Sequence, residues 1–305
     1  MRWVVVLVLM LASVAQAQPK TNVDAVDSDG WTALMRAAQG GKTVEVANLL
    51  DRGANIEASN PKVYDGATPL VLALEYGQDD TAKLLLDRGA SVAGKLGTSA
   101  LVLAARGGFD DIVDRLVTAK VSPKGTLALQ AAARYGHVST IKRLVKAGAV
   151  VRDKDTGDHD YTPFIVACQE NQLAAARALL DAGANVNDVD ADGTPALHWA
   201  VFGERPDEVH EYREMGKPHD TYWIPHKDAP LVKLLLGKGA KREAVDADGN
   251  TALHKAAMLD VAAAAKVLLA AGANRAKKNA EGQTAYELAK DRKNSVEPIL
   301  RPKKQ

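Results

Sequence analysis

Cysteine is almost missing: Cys168 is the only one in 305 residues. A single cysteine closes no internal disulfide, so stability must come from packing. Cys168 follows Ala167 in an apolar stretch, which predicts a small buried thiol. A reactive nucleophile would want a nearby base, and none is indicated. Aromatic residues are also scarce, at 5%, while Ala, Leu and Val carry much of the 47% hydrophobic content. That composition suits helices packed closely at small residues. A surplus of charge is absent too, with 39 Lys and Arg against 38 Asp and Glu. This argues against a nucleic-acid or polyanion binder, whose phosphate contacts need excess positive charge. The apolar content is nonetheless high enough to exclude a disordered chain. No apolar run reaches the ~20 residues needed to span a bilayer.

The N-terminus reads as an address. Met1-Arg2 gives a positive start, Trp3 to Leu11 is unbroken apolar sequence, and Ala15-Gln16-Ala17 is a small-x-small cleavage site. This is the three-part pattern of a secretory signal peptide. The expectation is a leader over residues 1–17, cut after Ala17, followed by a lead-in over 18–26. No cysteine follows the apolar run, which disfavours a lipid anchor. The mature protein is expected to be soluble in a periplasm or secreted.

What the sequence does have is repetition. Gly30-Trp31-Thr32-Ala33-Leu34 leads to Ala37-Ala38, Gly41, Leu49-Leu50 and Gly53-Ala54. The frame returns at Gly66, Gly97 and Gly125, at Asp160 in the glycine position, and at Gly193, Gly249 and Gly282. Each unit predicts a Gly-led turn, a short helix, a tight turn, and a second helix ending at Gly-Ala. Threonine at the first helix start is a good N-cap. Glycine after Leu-Leu can take the left-handed conformation that ends a helix. One such unit cannot bury its own apolar face, so neighbours must stack.

This frame resembles the ankyrin repeat, and the resemblance covers essentially the whole mature chain. It implies an all-α solenoid of about eight helix–turn–helix repeats with hairpin loops. The repeats start near 27, 63, 94, 122, 157, 190, 246 and 279, within a domain over 27–301, followed by a basic tail over 302–305. Spacings between glycine positions are 36, 31, 28, 35, 33, 56 and 33 residues. The short spacings predict clipped hairpins and a notch around repeats three and four, where Lys120-Val121 also replaces the usual Gly-Ala. The long spacing places a 23-residue insertion over 204–229 in repeat six. It holds His210, His219 and His226 with Tyr212, Tyr222 and Trp223.

The resemblance also implies a binding surface of hairpin tips and first-helix ends. The candidate partner-binding residues there are Trp31, Tyr64, Tyr76, Arg106, Arg134, Tyr135, Tyr161 and Phe202, with Tyr212, Tyr222 and Trp223 in the insertion. Six of those outside the insertion are rings at positions set apart from the core, and aromatic and Arg residues are the usual anchors of interfaces. Phe109, Phe164, Trp199 and Tyr286 read as packing residues. His198 and His254 occupy the repeat's own histidine position and are expected to bond neighbouring backbone.

Several motifs are refused. Gly41-Lys42-Thr43 imitates the end of a phosphate loop, but Arg36 stands where its first glycine is required. His210, His219 and His226 are spaced by nine and seven, which matches no compact zinc pattern. Asp79-Asp80 and Asp110-Asp111 fall on helix starts, where they favour the dipole. No catalytic residue, metal site or cofactor is assigned.

The functional expectation is a non-enzymatic, monomeric module that binds another exported or periplasmic protein, without nucleic acid and without membrane insertion. An immunity-type inhibitor that occludes a cell-wall hydrolase or toxin is the leading form. The alternatives are a factor assembling or protecting an exported enzyme, for example in oxidative stress, and a secreted effector binding a host protein.

Overall fold

The computed structural model describes residues 22–61, 66–125, 127–154, 160–202 and 229–302, with backbone alone at 94–97. The expected leader, the insertion up to residue 228, Tyr64, Tyr212, Tyr222, Trp223, His210, His219, His226 and the last three tail residues lie outside them. Among the described residues there are sixteen helices and no strand. The chain divides into two compact units, Met1–Ala100 and Leu101–Gln305.

In the first unit, the helices Ala33–Gln39 and Thr43–Asp51 form one pair, and Pro69–Glu75 and Asp79–Asp87 the next. First helix packs on first helix and second on second. Leu34, Leu70, Leu72 and Leu85 are buried in that stack, each contributing roughly 2 kcal/mol. Thr32 caps its helix by accepting from the Met35 amide, and Pro69 stands at the first position of its helix, where its missing N–H costs nothing.

The second unit continues the pattern. Its helical pairs are Ala128–Arg134 with Val138–Lys146, Pro163–Gln169 with Leu173–Asp181, Ala196–Phe202 with Pro230–Gly237, and Ala252–Met258 with Ala262–Ala270. Helix Ala285–Arg292 closes the row with the short helix Glu297–Leu300, which buries Leu300 and its N-cap residue Val296. Cys168 is fully buried, and burial pushes its thiol pKa up, away from the reactive thiolate.

Side chains from one repeat reach backbone in the repeat before it. Gln172 donates to the Arg134 carbonyl at 3.1 Å, and His137 Nε2 lies 2.9 Å from the Arg106 carbonyl. The inter-helix turns need a positive φ, which glycine takes most easily, and at Gly108 and Gly136 these side chains also cross close by. A Cβ on Gly136 would stand 2.4 Å from Gln172 Oε1, and the φ there is +74°.

Repeat three differs from the expected clipped hairpin. Its first helix starts at Gly94, ahead of the glycine position at 97, and runs fourteen residues to Gly107. Hairpin bridges form at Val26–Thr32, Val189–Pro195, Val245–Thr251 and Lys278–Thr284. The shortened connection leaves too few residues for such a bridge, and the backbone bonds are made in a helix instead. Lys120, in the position of the usual glycine, is held at φ 65°.

Candidate protein-binding surface

Three hairpins share one device, built from an aspartate three residues before the glycine position. Asp27, Asp190 and Asp246 each use Oδ1 to accept two backbone N–H groups of the turn. That leaves Oδ2 free to hold the residue six places after the glycine. In repeat one this residue is Arg36, 2.7 Å from Asp27. In repeat seven it is Lys255, 2.6 Å from Asp246 in a pair whose side chains are only 12% and 6% exposed. Burial alone would raise the Asp246 carboxyl pKa. The Lys255 ammonium and the Asn250 N–H outweigh burial and lower it. In repeat six the residue is Trp199, whose indole N–H donates to Asp190 at 2.9 Å.

That bond fixes the indole beside the hairpin. Trp199 reads as a packing residue in the sequence, and its half-buried ring packs against two predicted binding residues. Tyr161 meets it edge-on at 5.8 Å between centroids, and Phe202 lies tilted against it at 5.3 Å. Trp199 and Phe202 sit three apart on one helix and so share a face. Lys255 reaches over the Phe202 ring at 5.6 Å. The result is a ledge of three half-buried rings from repeats five and six, bordered by Lys255 of repeat seven.

A second cluster lies in repeats three to five. Tyr135, at the C-cap of its helix, is 38% exposed and stacks against His137. The same His137 ring lies against the Arg106 carbonyl, so one histidine connects two predicted residues. Arg134 pairs with Glu170 of the next repeat, the guanidinium 40% and the carboxylate 6% exposed.

In the first unit, Tyr76 is the half-buried C-cap of helix Pro69–Glu75. Trp31 differs from the expected ring set apart from the core. It is 9% exposed, and the Arg36 guanidinium covers it at 4.6 Å from the ring centroid. Any partner there meets Arg36 before the indole. Phe164 is fully buried, as a packing residue should be.

Sequence reasoning missed the two connecting residues, His137 and Trp199. The signal for Trp199 was present: it stands nine residues after Asp190, as Arg36 does after Asp27 and Lys255 after Asp246. No such pattern marked His137.

His198 and His254 behave as repeat histidines. Their Nε2 atoms lie 2.8 Å from the Asn250 carbonyl and 3.2 Å from the Gln283 carbonyl, and burial lowers both pKa values. Among the described residues no group of His, Cys, Asp and Glu is arranged to hold a metal ion, and no helix is long and apolar enough to cross a membrane.

Family models of ankyrin repeats match residues 7–95, 91–158 and 222–304 in a three-copy form and 164–209 in a many-copy form. The chain belongs to the ankyrin repeat family. Ankyrin repeats are protein-interaction modules, which gives the exposed rings a general role. Curated relatives include the palmitoyltransferase Hip14 of Drosophila melanogaster, 30% identical over 31% of this chain and 17% of that protein. Human neurogenic locus notch homolog protein 1 is 27% identical over 63% of this chain and 7% of its own length. Human protein phosphatase 1 regulatory subunit 27 is 33% identical over 25% of this chain and 47% of that protein. This ankyrin chain therefore spans less than half the length of each.

Proposed function

We propose that this ankyrin chain is a non-enzymatic binding module acting outside the cytoplasm, where it holds another exported or periplasmic protein. Its mode is that of an immunity-type inhibitor, covering the active site of a cell-wall hydrolase or toxin. The observation that carries the binding role is the ledge of Tyr161, Trp199 and Phe202, three part-buried rings joined through Trp199. Large rings kept at a surface are costly unless a partner uses them, and clustered aromatics dominate interface energetics. The export reading rests on the leader pattern of residues 1–17. One relative is by name a regulatory subunit, which accords with action through another protein.

The test is affinity capture from an envelope extract, followed by assay of the captured enzyme. Phe202→Ala and Tyr135→Ala should each weaken capture by about 2 kcal/mol. The enzyme should lose activity as the ankyrin chain is titrated in. A rise in activity would assign the supporting role instead, and absence of any captured protein would remove the binding role.

A further inference from the structure

The near-balance of charge over the whole chain hides a local excess. From Arg115 to Arg152 there are eight Lys and Arg and no Asp or Glu. Arg134 is paired with Glu170, and Arg143 with Asp110 and Asp114. Lys120, Lys124, Lys142, Lys146 and Arg152 are exposed, and among the described residues they have no ion pair. Lys142 and Lys146 stand four apart on one helix, where like charges repel. The first acid after Asp114 is Asp153, which accepts from the Gly125 amide at 3.3 Å.

The same repeats depart from their neighbours in how their loops are capped. Elsewhere a side chain caps the loop of the repeat that follows. Asp24 accepts from the Asn55 amide at 2.8 Å, Glu57 from Ser91 at 2.6 Å, Asn187 from Lys241 at 2.8 Å and Glu243 from Asn274 at 2.8 Å. Glu57, Asn187 and Glu243 each stand three residues past the alanine that follows a helix-ending glycine. The amide they cap belongs to the residue after the next such alanine. Around repeat four those acceptor positions hold Lys124 and Arg152, and the amides that correspond to them are Val150 and Asn185. An ammonium or guanidinium cannot accept, and among the described residues nothing accepts from either amide. Val150 is 44% exposed, so its loop is open to approach. Lys124 reaches that loop, with its Cε 3.7 Å from the place a Cβ on Gly148 would take. A free N–H with a cation beside it is the complement of a carboxylate. Resting on the binding role proposed above, we infer that the loops around Val150 and Asn185, with Lys124 and Arg152, bind an acidic segment of the protein partner. Its Asp or Glu side chains cap the two amides from outside, as Glu57 and Glu243 cap theirs from within.

The test titrates the full mature chain by calorimetry, near physiological ionic strength, with hexaglutamate, hexaarginine and phosphatidylglycerol vesicles. Hexaglutamate should bind and hexaarginine should not. Lys124→Glu removes a cation and offers the Val150 amide an internal carboxylate. It should weaken hexaglutamate by about tenfold or more and leave the thermal unfolding midpoint unchanged or raised. Lys124→Met removes the charge alone and should cost about threefold, which keeps the test decisive if the glutamate variant misfolds. Lys266→Glu, at an exposed lysine of helix Ala262–Ala270, makes the same change of net charge and should stay within about twofold. Equal losses in Lys266→Glu and Lys124→Glu would mean diffuse attraction and overturn the assignment. Unchanged binding in both Lys124 variants, or equal binding of hexaarginine, would overturn it too. Binding of vesicles with hexaglutamate left free would assign a lipid surface and overturn the protein segment. Capture of an envelope protein without hexaglutamate binding would overturn this chemistry and leave the binding role standing. Failure of both would overturn both.

Discussion

Repeats six and seven start from nearly the same sequence and end with different surfaces. Each has its hairpin aspartate, its glycine and a Leu-His pair: Asp190, Gly193 and Leu197-His198 in one, Asp246, Gly249 and Leu253-His254 in the other. Two positions part them. Repeat seven has Thr251 at its N-cap, and its amide donates to His254 Nδ1 at 3.1 Å with the hydroxyl 2.8 Å from the same nitrogen. Repeat six has Pro195 there. Proline offers neither N–H nor hydroxyl, and His198 Nδ1 is buried with no partner. Repeat seven has Lys255 against its aspartate, where repeat six has Trp199. Repeat seven is built for cohesion. Repeat six gives up part of that cohesion and keeps a part-exposed ring in its place.

The largest break in this comparison should come from the aspartates. Asp246→Ala strands the nearly buried Lys255 ammonium and two turn amides, and should cost about 3–5 kcal/mol. Asp190→Ala strands no cation and should cost about 1–3 kcal/mol. Urea midpoints of the two variants read the difference, and equal losses would dissolve the contrast. Pro195→Thr should move repeat six toward repeat seven by restoring the cap and a partner for His198, a gain of about 1–2 kcal/mol on the same measurement.

A smaller gain, about 1 kcal/mol, is expected from Lys120→Gly. The second helices of repeats six and seven end at Gly239 and Gly272, both at positive φ without penalty, whereas Lys120 holds that conformation with a side chain. Asp260, also at positive φ, should not gain from glycine, because its carboxylate accepts from Ser295 and from the Val296 amide. Thermal melts of the two glycine variants should therefore separate.

The slightest effect should be with pH. Burial lowers the pKa of both His198 and His254. The unfolded chain then takes up protons at a higher pH than the folded one. Their contribution is full above the ordinary histidine range and is lost as pH falls through it. Unfolding free energy should decline between about pH 7.5 and pH 5. A His198→Gln, His254→Gln double variant should show a shallower decline; an unchanged slope would place the titration elsewhere.

Much of the fold was legible because it is written locally. The Gly-led turn, the Thr caps and the Leu-Leu positions recur within one repeat and need no distant partner to act. The helical start at Gly94 was not legible, since a shortened connection can be absorbed as a clipped hairpin or as a longer helix, and only backbone hydrogen bonding selects between them. The candidate surface was read in part. Tyr161 and Phe202 stood out by position, but Trp199 was read only as a packing residue, because sequence does not say which neighbours a seven-residue helix packs against.

The amino-acid order alone determined the repeat period, the helical pairs and the buried thiol at Cys168, because spacing, capping and apolar patterning act over a few residues. Stacking decided the rest. It brought Tyr161 against Trp199 across 38 positions and His137 against Arg106 across 31, and it left one aspartate without a cation. Such contacts depend on how neighbouring repeats meet, and no single repeat encodes them.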